Sequence, residues 1–154
     1  MSQERAAPYG SWPSPITSDL IASATIRLGD LALDGGDVYW SESRPAEGGR
    51  GAIVRRTPDG QTADLIPPPF NARTRVHEYG GGAFAVADGT VYFSNFDDQR
   101  LYRVGPGRSA APRAVTPAGP WRYADGVVDR PRNRLICVLE DHSAEGREPV
   151  NCLA

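Results

Sequence analysis

The sequence predicts an all-β fold, a partial β-propeller of about two and a half to three four-stranded blades. Three observations predict it. Short runs of alternating residues are separated by turn residues, and the 154 residues include 17 Gly and 14 Pro, which suits strands and tight turns better than long helices. The runs recur in one order, with Val38-Tyr39-Trp40, Val91-Tyr92-Phe93 and Leu135-Ile136-Cys137 at matching positions, spaced by roughly the 40–50 residues a blade takes. Between the first two copies lies a charged, glycine-rich junction, Thr74 to Phe84, the kind of connection on which repeat folds place functional loops.

Residues 1–24 read as an extension docking on the propeller. Pro8, Pro13 and Pro15 exclude regular structure around them, because proline removes a donor and restricts its predecessor; Tyr9 and Trp12 are the side chains expected to dock. Thr17 to Ala24 reads as a short helix with Thr17 or Ser18 as N-cap. Residues 25–154 form the incomplete propeller, with blades at roughly 25–75, 76–120 and 121–154, the last cut short.

In the first blade, Leu31-Ala32-Leu33 turns at Asp34-Gly35-Gly36-Asp37 into Val38 to Glu42. A loop leads to Ala52 to Arg56, and Thr57-Pro58-Asp59-Gly60 is a tight turn before Thr62 to Ile66. The second blade repeats this with Ala83 to Val86, a turn at Asp88-Gly89, then Val91 to Ser94, Leu101 to Val104 and Arg113 to Val115. The third has Gly126 to Val128, a turn at Arg130 to Asn133, Leu135 to Leu139, and an opening third strand at Asn151 to Ala154. A hairpin with Glu140 opposite Pro149 sets Cys137 opposite Cys152. Two reduced, buried thiols are expected there, with a cross-strand disulfide as the alternative.

Composition narrows the function classes. With 40% hydrophobic and 23% charged residues the chain reads as globular. All 17 Lys/Arg positions are arginine and the net charge is -2, which leaves no electrostatic footprint for nucleic acid or an anionic membrane. No apolar run approaches a transmembrane length, and the first sixteen residues lack a signal-peptide core. A cytoplasmic protein is the default reading.

Candidate chemical motifs fall one by one. Gly107-Arg108-Ser109-Ala110-Ala111 lacks the final glycine of a nucleophile elbow, and prolines bracket it. Asp141-His142-Ser143 holds the triad residue types as neighbours, which cannot converge on one reacting atom; a polar hairpin loop is expected. His77-Glu78 has Gly81 where a zinc helix needs its second histidine, so no metal site is read. Gly80-Gly81-Gly82 does not match a phosphate loop, and its expected role is positive φ or close passage of the backbone. No cofactor is implied. Tyr39, Trp40, Tyr92 and Phe93 are expected to pack between blades rather than form a recognition platform.

Several ordered stretches carry a family resemblance. They are Pro8 to Pro15, Val38 to Glu42, Arg44-Pro45 with Glu47 to Arg50, Asn71 to Gly82, Tyr92 to Phe96, Asp98 to Arg103, Arg122 to Asp125, and Arg134 to Cys137 with Glu140-Asp141-His142. With these the chain resembles the N-terminal part of a prolyl oligopeptidase-family (S9) serine peptidase of the dipeptidyl or acylaminoacyl peptidase-like branch. The resemblance implies a propeller that screens access for short peptides, stacked on a C-terminal α/β-hydrolase domain that carries the triad and is absent from these residues.

The expected function is therefore the propeller segment of a serine peptidase, acting in substrate gating with no catalytic residue of its own. A stand-alone propeller-derived binding module, closed by oligomerisation, is the alternative. A catalytic propeller of the lactonase type would need metal-binding carboxylates and histidines that are not visible. Arg75, His77 and Glu78 should stand at a channel mouth, with Arg122, Tyr123 and Asp125 from the next blade. There a carboxylate can hold a peptide amine and an arginine a carboxylate; for each residue taken singly, an inter-blade salt bridge or a capping hydrogen bond is the favoured reading.

Overall fold

A computed structural model of the chain describes residues 8–11, 13–23, 25–106 and 111–154. Three antiparallel sheets follow one another along it. The first contains β1 (Arg27–Asp34), β2 (Asp37–Arg44), β3 (Arg50–Arg56) and β4 (Thr62–Asp64), in that spatial order. The second contains β5 (Phe84–Ala87), β6 (Thr90–Ser94), β7 (Leu101–Val104) and β8 (Arg113–Ala114). The third contains β9 (Trp121–Asp129), β10 (Arg134–Asp141) and β11 (Val150–Leu153). The partial propeller read from the sequence is this architecture.

Turn chemistry closes the meanders where expected. Asp88 and Gly89 both take positive φ, 51° and 71°, the two-residue hairpin geometry that matches strand twist. Arg130–Arg132 forms a single 3-10 turn ended by Asn133 in the left-handed region. At the N-terminus, α1 (Ser18–Ser23) is capped by Thr17, whose Oγ1 accepts the Leu20 N–H at 3.1 Å. Tyr9 is 99% exposed. Trp12 and Ala24 lie outside the described residues.

The sheets stack through two cores. Tyr39, Ile53 and Ile66 from the first blade pack with Val91, Phe93 and Val104 from the second. The Phe70 ring meets Phe93 and Tyr102 edge-on, at 6.0 and 5.2 Å between centroids. Fully burying one such side chain contributes about 1.5–3 kcal/mol. Leu101, Tyr123 and Cys137 form the second core with Trp121, Leu135 and Leu139. Tyr39 and Phe93 are therefore packing residues, as expected.

Two strands begin earlier than the periodicity suggests, because each contains a bulge that breaks it. In β1, Leu28 pairs with Glu42 but Leu31 with Trp40. In β9, Ala124 pairs with Val138 but Val127 with Ile136, and Asp125 sits in the bulge at φ 55°.

The register of the last hairpin corrects the cysteine reading. Glu140 stands opposite Asn151 and Leu139 opposite Cys152, while Cys137 exchanges two 2.9 Å backbone hydrogen bonds with Ala154. The pairing differs by two residues from the one that sets Cys137 opposite Cys152. A two-residue slip leaves every side chain on its own face, so the apolar pattern does not discriminate between the registers. Both thiols are free; Cys137 is buried but Cys152 is exposed.

Candidate functional site at the propeller rim

The junction before β5 is held by all three blades through its own backbone. The Ala72 N–H donates to the Gly51 carbonyl of the first blade at 2.8 Å. In the second blade, the Arg73 N–H donates to the Ser94 carbonyl at 3.0 Å and the Arg75 N–H to Gln99 Oε1 at 2.8 Å. The His77 N–H reaches Glu140 Oε1 of the third at 3.0 Å. Residues 72–77 thus form a rib across one face of the stack. Gly51 makes its first crossing possible, because a Cβ there would collide with the Ala72 carbonyl.

Past the rib the chain turns sharply. His77 and Glu78 take φ of 56° and 64°, conformations that cost non-glycine residues on the order of 1–3 kcal/mol each. The turn is closed by Glu78 N–H to the Arg75 carbonyl and Gly80 N–H to the Val76 carbonyl, both at 2.9 Å. Gly82 and Asp125 then exchange bonds: the Gly82 N–H donates to Asp125 Oδ1 at 2.7 Å, and the Asp125 N–H to the Gly82 carbonyl at 2.9 Å. A Cβ on Gly81 would lie 2.8 Å from Asp125 Oδ2. The close passage read for the glycine run is this contact, and Gly80 supplies the positive φ, at 90°. From the other side, Asp30 in the β1 bulge accepts the Ala83 N–H at 3.4 Å. The bulges of the two flanking blades therefore aim one aspartate each at the start of the second.

At the centre is Glu140, 3% exposed, at the end of β10. Arg122 Nη1 donates to Glu78 Oε1 at 2.7 Å, to the Arg75 carbonyl at 2.8 Å and to Glu140 Oε2 at 3.4 Å. His142 Nε2 lies 2.7 Å from Glu140 Oε2, and His77 Nδ1 lies 3.6 Å from Oε1. Both histidines of the chain thus face one carboxylate. Burial works to raise the Glu140 carboxyl, but the His142 hydrogen bond, the His77 N–H and the His142 and Arg122 charges outweigh it and hold it below its reference value.

Of the six residues expected at the rim, the structure brings together Arg75, through its carbonyl, His77, Glu78 and Arg122. Asp125 stands beside them on the glycine run. Tyr123 points elsewhere: it is 6% exposed, belongs to the second core and lines a cavity of about 520 Å³ between the second and third blades. Burial pushes its phenol up. Glu140 was missed as a site residue. Its signal was an acid ending an apolar strand beside a histidine, but its partners lie on remote segments. Asp141-His142-Ser143 is a local turn, with the Ser143 hydroxyl and N–H both donating to Asp141 Oδ1 while His142 faces Glu140. Gly107, Arg108, Ser109 and Ala110 lie outside the described residues. Among the described residues no group of histidine, cysteine and carboxylate side chains is arranged to hold a metal ion.

Fold and rim together define an open stack of propeller blades whose inter-blade junction is ion-paired. Among solved structures the chain is similar to puromycin hydrolase, with a TM-score of 0.86 and 38% identity over 96% of this chain and 24% of that one. It is also similar to a Mycobacterium tuberculosis puromycin-hydrolyzing peptidase, with a TM-score of 0.79 and 39% identity over 98% of this chain and 24% of that one. No family model and no curated protein matches. The chain spans about a quarter of the length of the structures it resembles, 24% in each case. In fold the chain is thus similar to a propeller portion of these longer proteins.

Proposed function

We propose that the chain is the access-controlling propeller segment of a peptide-hydrolysing serine peptidase. It admits short peptides past its rim toward a C-terminal α/β-hydrolase domain and cleaves nothing with its own residues. The observation that carries this reading is the match over 96% of the chain to a quarter of a hydrolase. The rim supports it: Glu78, with a side chain 78% exposed, and Asp125 are carboxylates that suit a peptide ammonium, and Arg122 suits a carboxylate.

Two measurements test it. The purified 154-residue chain should leave a chromogenic aminoacyl or peptidyl substrate untouched, and turnover above buffer would overturn the absence of catalysis. In a native product that carries the hydrolase domain, Glu78→Gln should raise KM several-fold while kcat stays near the wild-type value. An unchanged KM would reduce Glu78 to an ion-pair partner of Arg122. A native product no longer than these residues would instead leave a binding module.

A further inference from the structure

The rib presents a strip of cations whose first two members have no anionic partner among the described residues. Along residues 73–77 the side chains alternate, with Thr74 and Val76 buried while Arg73, Arg75 and His77 are exposed. His77 faces Glu140, but Arg73 and Arg75 have no carboxylate within 4.0 Å among the described residues. Their guanidinium carbons instead lie over one ring, that of Phe96, at 4.8 and 4.3 Å from its centroid. Arg44, Arg50, Arg55 and Arg122, by contrast, are all ion-paired.

This arrangement is held rigidly from below. Buried Gln99, at φ 55°, accepts the Arg75 N–H and donates to the Phe96 carbonyl at 2.7 Å. The Phe96 N–H donates to the Asn71 carbonyl at 2.8 Å, and the Arg73 N–H is tied to Ser94. One side chain thus locks the rib to the turn that carries the ring. A guanidinium stacked on an aromatic face keeps its N–H edges free for in-plane acceptors.

We propose that Arg73 and Arg75, stacked on Phe96, form a carboxylate-binding subsite for a short peptide. The peptide is named on the strength of the peptidase reading above; the carboxylate rests on the arginines alone. Planar, paired donors match a carboxylate bidentately. That group comes either from the peptide's C-terminus or from an acidic side chain.

The test is an NMR titration of the isotope-labelled 154-residue chain with three peptides: acetyl-trialanine as the free acid, the same peptide as its C-terminal amide, and an amidated acetyl-tripeptide with one central glutamate. The free acid should shift the signals of Arg73, Arg75 and Phe96, and the alanine amide should bind at least about tenfold more weakly, the effect of losing one charge-assisted pair. Binding of the glutamate amide at the strength of the free acid assigns the site to carboxylates of either source; its failure restricts the site to C-termini. Arg73→Gln with Arg75→Gln should abolish the shifts with signal dispersion intact, and Phe96→Leu should weaken them. Equal binding of the alanine amide and acid, unchanged binding by the double variant, or no binding by any peptide overturns the subsite. None of these outcomes depends on turnover, so the subsite and the peptidase reading fail separately.

Discussion

Glu140 illustrates what one buried carboxylate accomplishes when its partners come from different blades. It accepts the His77 N–H from the junction, shares a hydrogen bond with His142 and faces Arg122. Replacing it removes a bond from three segments while Arg122 keeps Glu78 and the Arg75 carbonyl. Glu140→Gln should therefore destabilise the chain by about 1–3 kcal/mol near neutral pH, read as a fall in Tm or denaturation midpoint. The pH dependence has a definite sign. The folded carboxyl lies below its reference value of 4.5, so its stabilisation is present above about that pH and lost as the pH falls through the folded value. The gap between wild type and Glu140→Gln should close below pH 4.5, and a gap of constant size would refute the role of its charge.

The bulges and the last hairpin show how strand-level detail shapes the rim. Without the extra residue in β9, Asp125 would lie in the ladder and would not exchange hydrogen bonds with Gly82. Hydrophobic periodicity reads through such a bulge only as a break, which is why β9 was legible from Gly126 onward but not from Trp121. The β10–β11 register has a direct chemical readout. Cys152 is exposed, whereas Cys137 is buried and burial raises its thiol pKa. A thiol reagent at pH 8 should label one cysteine rapidly and the other only on unfolding, and Cys152→Ser should remove the fast phase. Two equally fast thiols, or no free thiol before reduction, would contradict this pairing.

At the scale of the molecule, the three sheets bury their facing sides and leave the outer face of β1 open. Leu28, Leu31 and Leu33 are 72%, 70% and 71% exposed, a row of apolar side chains that a further sheet would cover. On the face away from the rib, Asp34 joins all three blades, accepting the Gly89 N–H at 2.6 Å and pairing with Arg130 at 2.9 Å. On the other face the rib does the same through backbone groups. The stack is thus clamped at both faces by polar contacts around two apolar cores. This gives the rim a rigid base on which Glu78 and the arginines are displayed.

What the sequence by itself determined is the repeat, and with it the fold. Strand periodicity of two, turn pairs such as Asp88-Gly89 and the recurrence of Val38-Tyr39-Trp40 as Val91-Tyr92-Phe93 are local signals, and local sterics and burial read them directly. The rim was half legible. The charged, glycine-rich junction marked the place, yet nothing in the order of residues set Arg122 against Glu78 or both histidines against Glu140. Those pairings depend on how adjacent blades pack and on bulges that re-aim Asp30 and Asp125. The same holds for Gly51, whose missing side chain matters only because Ala72 crosses above it, and for Arg73 and Arg75, which share the Phe96 ring only once the second blade is built. Contacts between segments far apart in the chain are set by packing, and only the tertiary structure decides packing.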